Sequence, residues 1–188
     1  HNFNGLNLTL RTLLGVVKYP YQQIENPKKY LYDNDYLNVM RWTKNHKISL
    51  RTIDCEVMDL SDEIAYAAHD LEDAIRLKYF TIDDLIYEFE MSKYDNALPS
   101  FKNLVTKAKT FARKSRAYQS SEEYSILFKK ELTSQIVDNL IKDVGLVKDN
   151  NGIYSLGFAN LSNLASGLKV LTFEAIKRNP DIYRYELL

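Results

Sequence analysis

The stretch from about Leu50 to Lys78 constrains the fold of this 188-residue chain more than any other. Its centre, CEVMDLSDEIAYAAHDLEDAI (Cys55 to Ile75), reads as one helix, in which residues four apart share a face. At about 100° per residue, Asp62, Tyr66, Asp70 and Asp73 then fall within one narrow stripe. An aromatic flanked by carboxylates is poor core material, because an unpaired buried carboxylate is costly. Two readings of the stripe stand at this point: a solvated acidic face, and a site that binds a metal and a polar ligand.

Composition narrows the class. Lys plus Arg and Asp plus Glu both total 25, so no bulk field draws the chain to nucleic acid or an anionic membrane. Six Gly and four Pro favour long helices over an all-β design. The single cysteine, Cys55, rules out an internal disulfide framework, suits a reducing compartment and reads as a small buried hydrophobe. No apolar run approaches the length of about 18 residues that a membrane span needs, and nothing near His1 resembles a signal peptide. The expectation is a cytoplasmic protein without a membrane part. Fourteen tyrosines suit wet clefts or interfaces. The chain opens on His1-Asn2-Phe3 without Met, and we expect it to be part of a longer protein.

The remaining elements follow from local signals. Asn7 to Val17 has helical apolar spacing and stops before Lys18-Tyr19-Pro20, where proline disfavours further helix. Residues 18 to 34 read as a loop, and a short helix spans about Asp35 to Asn45. Thr81 with Asp84, and Ser120 with Glu123, have the shape of capping boxes opening helices to Phe89 and to about Val144. A basic helix covers 98 to 117. Leu146-Val147-Lys148 and Ile153 to Leu156, around Asn151-Gly152, predict a β-hairpin. A last helix spans Leu161 to Arg178, closed by Asn179-Pro180. The predicted class is all-α with one small β-hairpin near the C-terminus.

Three stretches, in this order, resemble the HD-domain deoxynucleoside triphosphate triphosphohydrolases, the dGTPase-like family. They are Gly5 to Thr9 running to Lys18-Tyr19-Pro20, then Asp62-Glu63-Ile64-Ala65-Tyr66 with His69-Asp70-Leu71-Glu72-Asp73, and finally the hairpin with the helix after it. The resemblance covers almost the whole chain. It implies a helical HD-domain-type fold, of which residues 1-188 would be the C-terminal part of one domain. It also implies metal-dependent hydrolysis of dGTP or another dNTP to deoxynucleoside and tripolyphosphate.

The same resemblance implies the site residues. Asp62 matches the family's final metal-binding Asp, a hard oxygen donor suited to Mg²⁺, Mn²⁺ or another transition metal. Tyr66 matches the tyrosine that stacks on the deoxyribose and crowds out a 2′-hydroxyl. Asp70 matches the carboxylate that accepts a hydrogen bond from the 3′-hydroxyl. Lys18 matches a triphosphate-binding lysine, Tyr19 a tyrosine bordering the nucleoside, and Lys29 a weaker second phosphate contact. As residues alone, both lysines also read as ordinary solvated loop residues, Lys29 more so than Lys18.

His69-Asp70 is a literal His-Asp pair, yet it belongs to the final-Asp helix, and we expect His69 to be a pocket neighbour or structural histidine. His1 is terminal, and His46 reads as a surface residue. The family's His and His-Asp elements would lie upstream of Gly5, together with the catalytic acid or base. These 188 residues alone are therefore expected to be inactive. Glu63 stands where some relatives carry a phosphate-directed lysine. Arg113, Lys114 and Arg116 form a basic cluster, read as a solvated helix face. The resemblance further implies homo-oligomers with effector nucleotides at interfaces; nucleic acid is not indicated. The alternative is a non-catalytic helical nucleotide-sensing or scaffold domain that keeps Tyr66 and Asp70 without the metal.

Overall fold

The computed structural model describes residues 8–46, 51–115, 118–148 and 152–178. The chain divides into two compact units, His1–Leu60 and Ser61–Leu188. Its architecture is mostly α with one two-stranded antiparallel sheet, as the sequence predicts.

In the first unit, α1 (Leu10–Gly15) starts where the Thr9 hydroxyl accepts the Thr12 N–H, which satisfies one orphan donor of the first turn. Leu14 is fully buried. An irregular segment leads to α2 (Asp33–His46), whose first turn carries Asp33 and Asp35 and whose last turn carries Lys44 and His46. That order of charges suits the helix dipole. Helix α3 (Ile53–Ala65) begins in this unit. Cys55 is buried, and its thiol lies 3.0 Å from the Gly15 carbonyl oxygen and 3.2 Å from that of Leu14. The thiol thus lies against the carbonyls at the end of α1, where the Leu14 oxygen also accepts the Val17 N–H.

The second unit contains the last turn of α3, a π-helical turn (Tyr66–Asp70), and α4 (Leu71–Arg76). The chain then forms α5 (Ile82–Met91), a 3₁₀ turn (Asp95–Ala97), α6 (Leu98–Ser115), α7 (Ser121–Asp143), strands β1 (Val144–Lys148) and β2 (Tyr154–Phe158), and α8 (Ser162–Arg178). Phe89 and Phe101 stack at 5.2 Å in the core, with Leu71, Leu85, Ile136 and Leu168 buried in the same unit. Helix α8 approaches α5 closely: a Cβ added at Gly167 would stand 2.6 Å from Phe89 Cε1. Buried Ala67 and Ala68 give the π turn small side chains where α8 packs on it.

The caps explain the boundaries. Thr81 and Asp84 form the reciprocal box at α5, with the Thr81 N–H donating to Asp84 at 2.8 Å. At α7, Ser120 accepts the Glu123 N–H, but Glu123 accepts its hydrogen bond from the Gln119 N–H at 2.6 Å. The predicted box is therefore shifted by one residue on its return arm. Helix α4 ends on Lys78 at φ 59°, with the Tyr79 N–H donating to the Ala74 carbonyl and the Lys78 N–H to that of Ile75. This is a Schellman closure built without glycine. Asp143 ties the end of α7 to the start of α8 by accepting the Asn160 and Leu161 N–H groups at 2.8 and 2.7 Å. Partial burial alone would raise its pKa, but those hydrogen bonds hold the carboxyl below its ordinary value.

The hairpin pairs Val144 with Phe158 and Lys148 with Tyr154, so each strand is two residues longer at its outer end than predicted. Gly152, at φ 83°, supplies the positive φ expected of the turn. The predicted starts at Asn7 and Leu50, the Asn151 position, Arg116 and Asn179-Pro180 lie outside the described residues.

Candidate functional site

The long predicted helix forms, but its periodicity breaks at the residues of interest. A π turn closes on i→i+5 hydrogen bonds and holds one residue more than an α turn. Residues after it lag behind the α-helical projection. Tyr66 and Asp70 remain on one side and line a single cavity of about 480 Å³. Asp73, expected on the same stripe, is carried round to a different cavity of about 350 Å³ with His69, Glu72 and Arg76. There it pairs with Arg76 at 2.9 Å. The stripe is thus Tyr66–Asp70 alone, because the extra residue rotates Asp73 away. Asp62 is exposed on the α-helical side of the π turn and does not line the cavity.

The opposite wall comes from α8. Lys169, Phe173 and Lys177, each four residues apart, share one helical face and line the cavity. The Lys169 ammonium lies 5.2 Å from the centre of the Tyr66 ring, and Lys177 lies 4.5 Å from that of Phe173. Both distances are within cation–π range. Tyr66 is 45% exposed and Phe173 56%, so two large rings face solvent across a concave surface. Burial raises the Asp70 pKa above its ordinary 3.8 and Asp73 adds to the rise, while His69 and Lys169 oppose it. Two apolar faces, one hydroxyl-accepting carboxylate and two ammonium groups can hold a flat or alicyclic ligand with hydroxyl and anionic groups.

The first unit brings together the other three residues singled out. The Tyr19 ring has Lys29 Nζ at 4.7 Å and Lys18 Nζ at 5.7 Å from its centre. Lys18 is no freely solvated loop residue: its ammonium is 3.0 Å from Asp59 Oδ1. The other Asp59 oxygen accepts a hydrogen bond from Arg51 at 2.8 Å. The side chains of Lys18 and Asp59 are only 28% and 23% exposed. Asp59 Oδ1 is buried without a directed hydrogen bond, so its contact with Lys18 is ionic in character.

Sequence reasoning missed Lys169, Phe173 and Asp59. The α8 pair had a signal in its i,i+4 spacing, but nothing in the sequence says which helix faces Tyr66. His69 is exposed and lines the second cavity. Among the described residues, no group of three or more His, Cys, Asp or Glu side chains is placed to hold a metal ion. A divalent ion does not fit these residues by themselves, and Asp62 would need ligands from beyond them.

Comparison with known proteins agrees with the motifs. The chain is 42% identical over 186 residues to a deoxyguanosinetriphosphate triphosphohydrolase-like protein 2 of Vibrio cholerae, covering 98% of this chain and 45% of that protein. The chain belongs to the dGTPase-like family. A like-named protein of Deinococcus radiodurans is 36% identical over 111 residues, 40% of this chain and 25% of its own length. A deoxyguanosinetriphosphate triphosphohydrolase-like protein of Bifidobacterium longum is 39% identical over 80 residues, 38% of this chain and 17% of its own length. The chain thus spans less than half the length of these relatives. No protein-family model matches, and no solved structure matches significantly. Among the described residues, no helix is long and apolar enough to cross a membrane.

Proposed function

We propose that this chain supplies the sugar-recognising part of an enzyme that hydrolyses a deoxynucleoside triphosphate, dGTP or another, to deoxynucleoside and tripolyphosphate. The observation that carries the proposal is the cavity in which Tyr66 and Asp70 stand together opposite α8. Membership of a family whose relatives carry that activity in their names supports it.

Tyr66 offers an exposed ring against which the deoxyribose packs, leaving no room for a 2′-hydroxyl. Asp70, as a carboxylate, accepts a hydrogen bond from the 3′-hydroxyl, a charge-assisted contact of the stronger kind. In the first unit, Lys18 and Lys29 are proposed as polyphosphate contacts beside Tyr19, with Lys18 exchanging or sharing Asp59 for a phosphate oxygen. Ammonium groups suit that task as compact point charges. The cofactor is a divalent metal, Mg²⁺ or Mn²⁺, to which this chain would contribute Asp62 alone. Homo-oligomers, an effector nucleotide and a cytoplasmic setting complete the proposal.

The test is tripolyphosphate release by the full-length protein from each of the four dNTPs, with Mg²⁺ or Mn²⁺, beside an Asp62→Ala variant. Release that vanishes in the variant supports the enzyme reading. No release from a sample shown by mass to contain the family's upstream half sinks it, and favours a non-catalytic nucleotide-sensing domain.

A further inference from the structure

We propose that Lys169 is a positioning residue of the Tyr66–Asp70 site, fixing the tyrosine ring and the aspartate carboxylate in the arrangement that receives a deoxynucleoside; this rests on the deoxynucleoside reading of that cavity. Lys169 comes from α8, on the far side of the cavity from both residues it serves. Its ammonium is within cation–π distance of the Tyr66 ring and faces the cavity that Asp70 lines. One cation thus stands against the ring and acts through space on the carboxylate, which relates two otherwise independent side chains to one point.

The backbone beneath Lys169 is held in place. Leu168 is fully buried, Leu171 nearly so, and Gly167 sits against Phe89 so closely that no Cβ fits without movement. The lysine stem therefore leaves a rigid stretch of helix, although its tip is exposed. Charge balance points the same way. Asp73 repels the Asp70 carboxylate, and Lys169 with His69 offsets that repulsion. Lys177, two turns along α8, is engaged with Phe173. Nothing places Lys169 at a reacting atom, so its effect is expected in binding and selectivity rather than in turnover.

Steady-state tripolyphosphate release by the full-length protein separates the possibilities, using one dNTP and its 2′,3′-dideoxy analogue. Lys169→Gln is expected to raise KM for the dNTP roughly five- to tenfold, with kcat changed by less than about twofold. KM for the dideoxy analogue, which keeps only the ring contact, should rise less, so the preference for a 3′-hydroxyl shrinks. Lys169→Arg, which keeps the charge, should restore most of that preference. An unchanged Lys169→Gln variant, or equal losses on both substrates that arginine does not rescue, overturns the role of Lys169 and leaves the cavity reading standing. A wild-type protein that releases nothing from either substrate overturns the cavity reading and the role of Lys169 with it.

Discussion

The Lys18–Tyr19–Lys29 loop and the Tyr66–Asp70 turn use the same ingredients, a tyrosine ring, ammonium groups against it and a carboxylate nearby, but they are held by different forces. The loop cluster is held by charge: Asp59 anchors Lys18 and is itself held by Arg51. The helical cluster stands on packing: Ala67, Ala68 and Leu71 are buried beneath it, and Leu168 and Gly167 seat the facing helix on Phe89. Packing fixes a backbone more rigidly than exposed or half-exposed ion pairs do. The helical pair is therefore suited to selecting shape, and the loop to following a mobile, charged group.

The contrast breaks most visibly if the packed floor is removed. Phe89→Ala is expected to cost about 3–5 kcal/mol, because it deletes the ring that stacks on Phe101 and supports α8. Urea unfolding followed by far-UV circular dichroism reads this. A loss below about 1 kcal/mol would mean that packing is not what holds that site.

Next in size is the charge anchor. Asp59→Ala should cost about 1–2 kcal/mol at low salt, since it removes the carboxylate that Lys18 and Arg51 share. The cost should shrink as salt is added, because the Debye length falls to about 10 Å at 0.1 M. Trp42, the chain's single tryptophan, lies in α2 of the first unit and gives the fluorescence signal. Salt-independence would place the loop with the packed site.

A smaller effect sharpens the helical side. Thr81→Ala should cost about 1 kcal/mol through loss of the α5 cap. Its pH dependence has a definite sign. The Thr81 N–H and hydroxyl lower the Asp84 pKa, so the cap's contribution is present above 3.8 and is lost as pH falls through the lowered value. Asp70 has the opposite sign. Its raised pKa means that its ionisation destabilises the fold progressively from 3.8 up to the raised value. Acid titration of stability in Thr81→Ala and Asp70→Asn should therefore diverge from wild type in opposite directions. Smallest of all, Lys78→Gly should gain at most about 1 kcal/mol by relieving the left-handed backbone at φ 59°. Thermal unfolding reads it.

Much of the fold was legible because its signals are local. Thr81 with Asp84 and Ser120 with Glu123 mark helix starts from side chains three residues apart, and Gly152 marks a turn from one backbone requirement. Lys78 was not legible, since a Schellman closure announces itself by glycine and here lysine takes the strained position. Asp73 was misplaced for a related reason. A π turn leaves no compositional mark, yet it shifts every later residue. In the candidate site, Tyr66 and Asp70 were found by helical spacing and Lys18, Tyr19 and Lys29 by a family motif. Lys169 and Asp59 were not found, because their partners lie 103 and 41 residues away in sequence, and only packing brings them together.

The central claim is that Tyr66 and Asp70 read a deoxyribose. Its most direct test is the ratio of kcat/KM for a dNTP to that for the matching ribonucleotide, in full-length wild type and Tyr66→Ala. The expected result is a strong deoxy preference in wild type that falls by at least about tenfold in the variant, as accommodation of the 2′-hydroxyl improves. A deoxy preference left intact by Tyr66→Ala would contradict it.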